Sequence, residues 1–180
     1  MSIKLSLGEF TRVVKGELEG NSDLEFSGLN FDSREVTPGN LFIALKGEAS
    51  DGHNFLNMAR TQGAVAFLVN KSANLADFRD YNLIKVDDTL RAYTELARFW
   101  RSKFAYPIIG ITGSMGKTTT RNMTYAILSE MGKGGTSIKS FNNHTGVPYT
   151  LCSFNQDYKF GVVEMGMNHL RELSHLGSIA

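Results

Sequence analysis

Hydrophobic residues in the first half of the chain fall into short blocks that are separated by polar turns. Two of these blocks, at residues 41–45 and 64–69, are uniformly apolar and too short for surface helices, so each predicts a buried strand; residues 83–86 predict another strand. Helical spacing predicts a short helix within residues 3–15. Strands and helices joined by short links predict a small α/β domain over residues 1–86.

A second helix is predicted after the polar loop that ends at His53. Phe55, Met58 and Ala59 follow this loop at spacings that place them on one face of a helix. The apolar run at residues 64–69 comes next, so the order strand, helix, strand repeats the pattern of an α/β domain.

The second half begins with a connecting helix and a new α/β unit. Within residues 87–106, apolar residues recur every three or four positions until Pro107; these are Leu90, Tyr93, Ala97, Trp100 and Phe104. From residue 107 the pattern predicts a strand at 108–112, a glycine loop, a helix from Lys117 to about Met131, a break at Gly132, Gly134 and Gly135, and short strands near Ser137 and at 160–164. Residues 107–180 are therefore expected to form a second unit.

Composition and charge exclude several classes of protein. With 42% hydrophobic and 21% charged residues among 180, the chain is expected to be a water-soluble globular protein. Its formal net charge of +1 gives no reason to expect a nucleic-acid or membrane partner. The single cysteine, Cys152, cannot form an intrachain disulfide, and no secretory signal or membrane-length apolar run is present, which favours the cytoplasm.

The segment from Gly110 to Thr120 has the pattern of a phosphate-binding loop. Gly-x-x-Gly-Lys-Thr follows a predicted strand and precedes a helix, although Ile111 stands where the strict Walker pattern has glycine. Lys117 is expected to reach the β and γ phosphates, and the Thr118 hydroxyl to ligate Mg²⁺. The residues expected to bind the nucleotide phosphates are Gly113, Ser114, Met115, Gly116, Lys117, Thr118 and Thr119.

An acidic residue, Glu164, ends the apolar strand predicted at 160–164. Ligands of parallel sheets bind at the carboxyl ends of strands, and hard cations prefer oxygen ligands, so Thr118 and Glu164 are the expected magnesium ligands. The alternative is a solvated acid at a strand end. The four histidines lack metal-ligand spacing, so a structural zinc site is not expected.

Several segments together resemble the Mur ligases. In the second half these are the phosphate loop, Phe-Asn-Asn-His-Thr-Gly-Val-Pro at 141–148 and Val-Glu-Met-Gly-Met-Asn-His at 163–169. The first half is similar to the UDP-sugar-binding domain of that family at residues 32–34, 38–45, 47–48 and 51–53. Met115 and Arg171 depart from the family's pattern, in which a small polar residue and a glycine are common. Folylpolyglutamate synthetases share the phosphate loop but leave the Asp-Ser-Arg segment at 32–34 unexplained.

The resemblance is strongest to the branch that adds D-alanyl-D-alanine to UDP-N-acetylmuramoyl-tripeptide during peptidoglycan precursor synthesis. It implies an ATP-dependent and magnesium-dependent ligase in which a substrate carboxylate becomes an acyl phosphate that an amine then attacks. By the same resemblance, Lys117, Glu164, Asn143 and His169 are the expected catalytic residues. Those expected to bind the UDP-sugar are Ser33, Arg34, Lys46 and His53.

The chain is expected to be incomplete as a member of this family. The resemblance implies a UDP-sugar-binding α/β domain followed by only the beginning of a parallel-sheet central domain, with about three strands after residue 107. Three strands are too few to bury both faces of such a sheet. The open alternatives are a fragment of a longer ligase, one piece of a protein that a second polypeptide completes, and a catalytically silent module that binds UDP-sugar or nucleotide.

Overall fold

The computed structural model describes residues 3–47, 50–167 and 171–180. The chain forms two compact units, Met1–Leu96 and Ala97–Ala180; within the described residues the first contains two sheets and the second one sheet. The helix α3 (Thr89–Arg101) spans the boundary between them. The division into segments 1–86, 87–106 and 107–180 stays a prediction. Within the described ranges, no helix is both long and apolar enough to cross a membrane.

The first unit contains two sheets. Its elements are β1 (Lys4–Ser6), α1 (Leu7–Val14), β2 (Glu17–Glu19), β3 (Glu25–Ser27), β4 (Leu29–Asn30), β5 (Leu41–Ile43), a 3-10 helix (Gly52–Phe55), α2 (Leu56–Thr61), β6 (Ala66–Asn70), a 3-10 helix (Ala76–Phe78) and β7 (Leu83–Val86). The larger sheet has the order β2-β7-β6-β5-β4, in which β4 to β7 are parallel and β2 is antiparallel. Strands β1 and β3 form an antiparallel pair.

The core of this unit surrounds Phe67 on β6. The rings of Phe42, Phe78 and Tyr81 lie 5.9–6.5 Å from the Phe67 ring in edge-on contacts. The strands predicted from apolar runs are confirmed, because β5 and most of β6 are buried as strands covered on both faces must be.

The predicted face of the second helix is wrong in part. Ala59 is buried, but Phe55 and Met58 are 39% and 45% exposed. The reason is that Phe55 belongs to the preceding 3-10 helix, so α2 begins at Leu56 and buries Leu56 and Ala59, which are three residues apart.

The second unit contains a parallel sheet with the order β8-β10-β9. Its elements are β8 (Ile108–Ile111), α4 (Lys117–Ser129), β9 (Gly134–Thr136), α5 (Gly146–Ser153), β10 (Phe160–Glu164) and α6 (Glu172–Gly177). The expectation of about three strands after residue 107 agrees with the sheet of the described residues. Trp100 and Phe104 are buried in edge-on contact, as expected of core residues.

Two features of this unit differ from the sequence interpretation. Gly134 and Gly135, which were expected in a break, lie in β9, where they leave room for the rings of Phe160 and Phe154. Helix α5 was not predicted because Gly146 and Pro148 indicate a loop. Pro148 is tolerated because it lies in the first turn, where N–H groups have no partner within the helix.

Candidate nucleotide-binding site

The turn between β8 and α4 exposes the first amides of α4. Gly116 precedes the helix with φ of +74°, a left-handed conformation that other residues rarely adopt. A Cβ at this position would meet no atom within 4 Å, so backbone conformation, and not space, requires the glycine. Since Gly116 has no side chain to cap these amides, they and the positive end of the 13-residue helix can bind an anion.

Lys117 is the first residue of α4 and lies over the turn. Its Nζ donates a 2.8 Å hydrogen bond to the Gly113 carbonyl oxygen. The ammonium group therefore lies beside the turn that precedes the helix. The other residues expected to bind ATP are Ser114, Met115 and Thr119, which are exposed on the turn and the first turn of α4. The Met115 side chain is 91% exposed, so the presence of methionine where the Mur ligases commonly have a small polar residue does not disturb the packing of the turn.

The Glu164 carboxylate is buried, with 2% exposure, at the end of β10. Parallel pairing sets Glu164 beside Ile111, the last residue of β8, and therefore beside the start of the turn. Its Oε2 accepts a 2.9 Å hydrogen bond from Thr118 Oγ1, and its Oε1 accepts a 2.9 Å bond from Asn142 Nδ2. The alternative interpretation of Glu164, a solvated acid at a strand end, is thereby excluded.

A second charged side chain, Arg121, lies beside this carboxylate. It is 7% exposed, and its Nη1 is 3.6 Å from Glu164 Oε2. The backbone N–H of Glu164 donates to Ser137 Oγ at 2.8 Å, so the segment after β9 also holds the end of β10. Sequence reasoning missed Arg121, Ser137 and Asn142 as neighbours of Glu164. The spacing of three residues between Thr118 and Arg121 on one helix indicates that these two side chains are neighbours, but it does not indicate that Arg121 is buried.

The oxygen atoms of Thr118 and Glu164 fit a hard divalent cation such as Mg²⁺. Among the residues that the structure describes, no group of three His, Cys, Asp or Glu side chains could hold a metal ion. A cation at this site would therefore have one carboxylate and one hydroxyl from the protein, and its other ligands would be phosphate oxygens and water. This is the usual magnesium coordination of sites that bind nucleotides.

Asn143 is placed differently from the expectation. Its Oδ1 accepts hydrogen bonds from the backbone N–H groups of Thr145 and Gly146 and from Thr145 Oγ1, so the side chain orders the start of α5. The neighbouring Asn142 is the residue that reaches Glu164. The other expected catalytic residue, His169, lies outside the described residues.

In the first unit, the residues expected to bind a UDP-sugar follow two neighbouring parallel strands, β4 and β5. Ser33 is buried, with its Oγ 3.1 Å from Met58 Sδ. The Arg34 side chain is 79% exposed, and its Nη2 lies 2.6 Å from Asp32 Oδ2. This ion pair raises the pKa of Arg34, which carries a positive charge at any physiological pH.

Lys46 and His53 line a cleft of about 370 Å³ at the same sheet edge. His53 Nε2 accepts a 2.9 Å hydrogen bond from the Asn70 N–H, which places the ring proton on Nδ1, 2.6 Å from Asp51 Oδ1. The His53 backbone N–H also donates to Asp51 and lowers the pKa of that carboxyl. Both ring nitrogens of His53 are thus engaged within the protein, whereas Lys46 is exposed.

Comparison with known families decides the class of this protein. The sequence profile described as Mur ligase family, catalytic domain, matches residues 25–101, and the profile described as Mur ligase middle domain matches residues 111–180. The chain belongs to the Mur ligase family. The second match includes the phosphate loop, Asn142 and Glu164, so the site described above lies in the middle domain of a Mur ligase.

Curated relatives of this Mur ligase chain carry the name UDP-N-acetylmuramoyl-tripeptide--D-alanyl-D-alanine ligase. The Synechocystis protein is 36% identical over an alignment that covers 100% of this chain and 40% of the relative. The Escherichia coli protein is 38% identical, covering 96% of this chain and 37% of the relative. The chain thus spans about 40% of the length of the curated relatives it matches.

Solved Mur ligase structures have the same fold. A crystal structure of MurF from Acinetobacter baumannii superimposes with a TM-score of 0.89 at 28% identity, covering 99% of this chain and 39% of that one. The MurF ligase of Thermotoga maritima in complex with ADP gives 0.73 at 28% identity, covering 85% of this chain and 35% of that one. The fold class predicted from sequence, a small α/β domain followed by the beginning of a phosphate-loop domain, is confirmed.

The backbone also bears on a departure from the pattern of the Mur ligases. Arg171, which stands where the resemblance leads us to expect glycine, has φ of +73°. This is the left-handed region that glycine adopts without strain, so a glycine would fit the backbone at this position.

Proposed function

We propose that this chain is the UDP-sugar-binding and ATP-binding part of a ligase that joins D-alanyl-D-alanine to UDP-N-acetylmuramoyl-tripeptide. The observation that carries the proposal is the hydrogen bond between Thr118 and the buried Glu164 beside the exposed amides of α4. This arrangement places oxygen ligands for a cation next to a site for phosphate oxygens. The names of the relatives supply the substrates.

The proposed reaction has two steps. A carboxylate oxygen of the tripeptide attacks the γ-phosphorus of ATP. The bond between this phosphorus and the bridging oxygen of the β-phosphate breaks, which releases ADP and forms an acyl phosphate. The amine of D-alanyl-D-alanine then attacks the acyl carbon, loses a proton, and displaces inorganic phosphate. Amide formation is thus driven by transfer of the γ-phosphoryl group of ATP, and water takes no part in either step.

The described residues have distinct roles in this scheme. The amides that begin α4 and the Lys117 ammonium bind the β and γ phosphates and stabilise the charge on the transferred group. Thr118 and Glu164 hold Mg²⁺, which when bound draws charge from the phosphate oxygens. Gly113, Ser114, Met115, Gly116 and Thr119 shape the turn around the phosphates. Asn143 acts indirectly, by ordering the segment that carries Asn142.

The first unit is proposed to bind the UDP-sugar at the carboxyl edge of its sheet. Arg34 and Lys46 are exposed cations near that edge and suit a diphosphate. Ser33 and His53 have partners within the protein, so we assign them to shaping the loops that carry the two cations. Since the reaction uses ATP and Cys152 is a free, buried thiol, we place it in the cytoplasm.

Calorimetry with ADP and Mg²⁺ tests the nucleotide site. The protein is expected to bind ADP, and Lys117→Ala to lower the affinity at least about tenfold, since a charged hydrogen bond is lost. Lys159→Ala, which removes an exposed lysine elsewhere in the same unit, serves as the control. Equal ADP affinities of Lys117→Ala and the unmodified protein would reject this role.

Activity separates the ligase from a silent binding module. The chain is supplied with ATP, D-alanyl-D-alanine and UDP-N-acetylmuramoyl-tripeptide, and phosphate release is measured with each substrate omitted in turn. Release that needs all three shows a complete ligase. If none is released, the assay is repeated with a second polypeptide that contains the length of the relatives lying beyond the matched region, which the proposal expects to restore activity.

A further inference from the structure

We propose that Arg121 is a positioning residue that makes cation binding at Glu164 depend on nucleotide. This inference rests on the proposed ATP site. Arg121 balances the charge of the buried carboxylate, so a free divalent cation binds there only weakly. A cation that is bound to nucleotide phosphates binds more tightly, because the phosphate oxygens supply further ligands and further negative charge.

The geometry places Arg121 and the cation ligand Thr118 on one face of α4. The two residues are three positions apart, so their side chains are neighbours, and both approach Glu164 Oε2. One hydroxyl and one guanidinium group therefore share a single carboxylate oxygen, at 2.9 Å and 3.6 Å respectively. Nothing in the ATP scheme above gives this arginine a role.

The guanidinium group is fixed by neutral acceptors. Nη1 donates to the Lys139 carbonyl oxygen at 2.8 Å, and Nε and Nη2 donate to Asn122 Oδ1 at 3.2 Å and 2.9 Å. These bonds hold the group in place without neutralising its charge. Because Arg121 is 7% exposed and Glu164 is 2% exposed, water screens the attraction between them only weakly.

Burial makes this charge balance consequential. A buried carboxylate without a partner is strongly unfavourable, so Glu164 requires the positive charge of Arg121 when no metal is bound. The same charge repels an approaching dication. At the spacing of this site the repulsion is expected to lower the affinity for a free dication by at least about tenfold, since even the dielectric constant of bulk water would give that much.

The test uses Mn²⁺ as a probe and electron paramagnetic resonance to count free Mn²⁺. Affinity is measured with and without ADP for the unmodified protein, Arg121→Met, Arg121→Gln and Arg121→Lys. Without ADP, the two neutral variants are expected to bind Mn²⁺ about tenfold more tightly than the unmodified protein, and Arg121→Lys to match it. Their melting temperatures are expected to fall, because Glu164 loses its partner.

In the neutral variants the affinity for Mn²⁺ is expected to rise while the melting temperature falls, and this combination distinguishes charge balance from simple packing. If affinity for Mn²⁺ stays unchanged or falls together with the melting temperature in the neutral variants, Arg121 is structural only and the inference is wrong. If the unmodified protein binds no ADP with Mn²⁺, the proposed ATP site itself fails. If the unmodified protein binds ADP with Mn²⁺, but the neutral variants bind Mn²⁺ alone no more tightly than it does, only the present inference is rejected.

A double variant covers the case in which the neutral variants do not fold. Arg121→Met combined with Glu164→Gln removes both charges while keeping similar volumes. The inference expects the double variant to fold and to be more stable than Arg121→Met, because no uncompensated charge is left buried. Failure of both proteins to fold would show that Arg121 contributes packing and not charge balance, and would overturn the proposal.

Discussion

The Thr118 hydroxyl donates a 2.9 Å hydrogen bond to Glu164 Oε2, although 46 residues separate the two along the chain. The bond joins the first turn of α4 to the carboxyl end of β10. It depends on two elements of the fold, the parallel pairing of β10 with β8 and the turn that leads from β8 into α4. The candidate cation ligands are therefore positioned by the sheet and not by a flexible loop.

Replacing Thr118 by valine tests this relationship. The variant keeps the shape of the side chain but leaves Glu164 Oε2 without its hydroxyl donor, which is expected to cost about 1–3 kcal/mol of unfolding free energy. Affinity for ADP in the presence of Mg²⁺ is expected to fall at least about tenfold, because one cation ligand is lost.

Thr120→Val is the matched control for this substitution, since Thr120 is exposed in the same turn of α4. Urea denaturation and calorimetry with ADP are carried out on both variants. Equal effects of the two substitutions would contradict the assignment of Thr118 as a cation ligand.

Gly135 is expected to be intolerant of a side chain. A Cβ at this position would lie 2.6 Å from the Phe154 ring, which is 2% exposed and cannot move aside. Gly135→Ala is expected to lower the unfolding free energy by about 1–3 kcal/mol through overpacking.

Gly177→Ala provides the comparison, because a Cβ at Gly177, in the last turn of α6, meets no atom within 4 Å. Alanine there is expected to be neutral or to stabilise the protein by up to about 1 kcal/mol. Chemical denaturation of the two variants under one set of conditions gives the difference, and a Gly135→Ala protein as stable as Gly177→Ala would refute the packing argument.

Cys152 predicts a loss of stability in alkaline solution. Burial raises the pKa of its thiol well above the ordinary value of 9.0, so the folded protein keeps the proton while the unfolded chain loses it above that pH. The stabilising contribution is complete below pH 9 and declines above it by about 1.4 kcal/mol per pH unit.

Unfolding free energies of the unmodified protein and of Cys152→Ala, measured between pH 8 and 10.5, test this expectation. The alanine variant lacks the thiol, so its stability is expected to fall less steeply above pH 9, whatever its absolute stability. Parallel pH profiles of the two proteins would show that the Cys152 thiol does not contribute.

Lys46 and His53 are expected to affect UDP-sugar binding in different ways. Lys46→Ala removes an exposed charge, so the loss of affinity for UDP-N-acetylmuramoyl-tripeptide is expected to shrink as salt is raised. His53→Ala breaks bonds to Asp51 and Asn70 within the protein and is expected to lower the melting temperature as well. Calorimetry at two salt concentrations and thermal denaturation separate the two effects; a salt-dependent loss in both variants would show that His53 contacts the diphosphate.

Local patterns predicted the framework of the site well. The strands at 66–70, 83–86 and 108–111 were predicted because apolar runs of that length, bounded by polar turns, have few other interpretations. The succession of a strand, a glycine turn and a helix also indicated the candidate phosphate loop, and these three elements are present in the structure. Glu164 was selected as a cation ligand because a parallel sheet brings its strand ends to one edge.

The surroundings of Glu164 required the tertiary structure. A charged residue within a helix indicates a solvent-exposed position, so Arg121 gave no signal of burial until β10 was placed against α4. The side chains of two consecutive asparagines point in different directions here, and the sequence does not show which of Asn142 and Asn143 reaches the carboxylate. Helix α5 was missed because its first turn contains glycine and proline, which are residues typical of loops.

The glycines of the second sheet bear on how this sequence can diverge. Gly135 on β9 and Gly161 on β10 are partners across the strands, and the Phe154 ring lies within 2.7 Å of the Cβ positions that both lack. The Phe154 ring thus occupies the space that side chains at 135 and 161 would need. Among descendants of this sequence, a larger residue at 135 should be accompanied by a smaller one at 154. A larger residue at 161 should be accompanied by smaller ones at both 154 and 108, because Ile108 Cδ1 lies 2.5 Å from the missing Cβ.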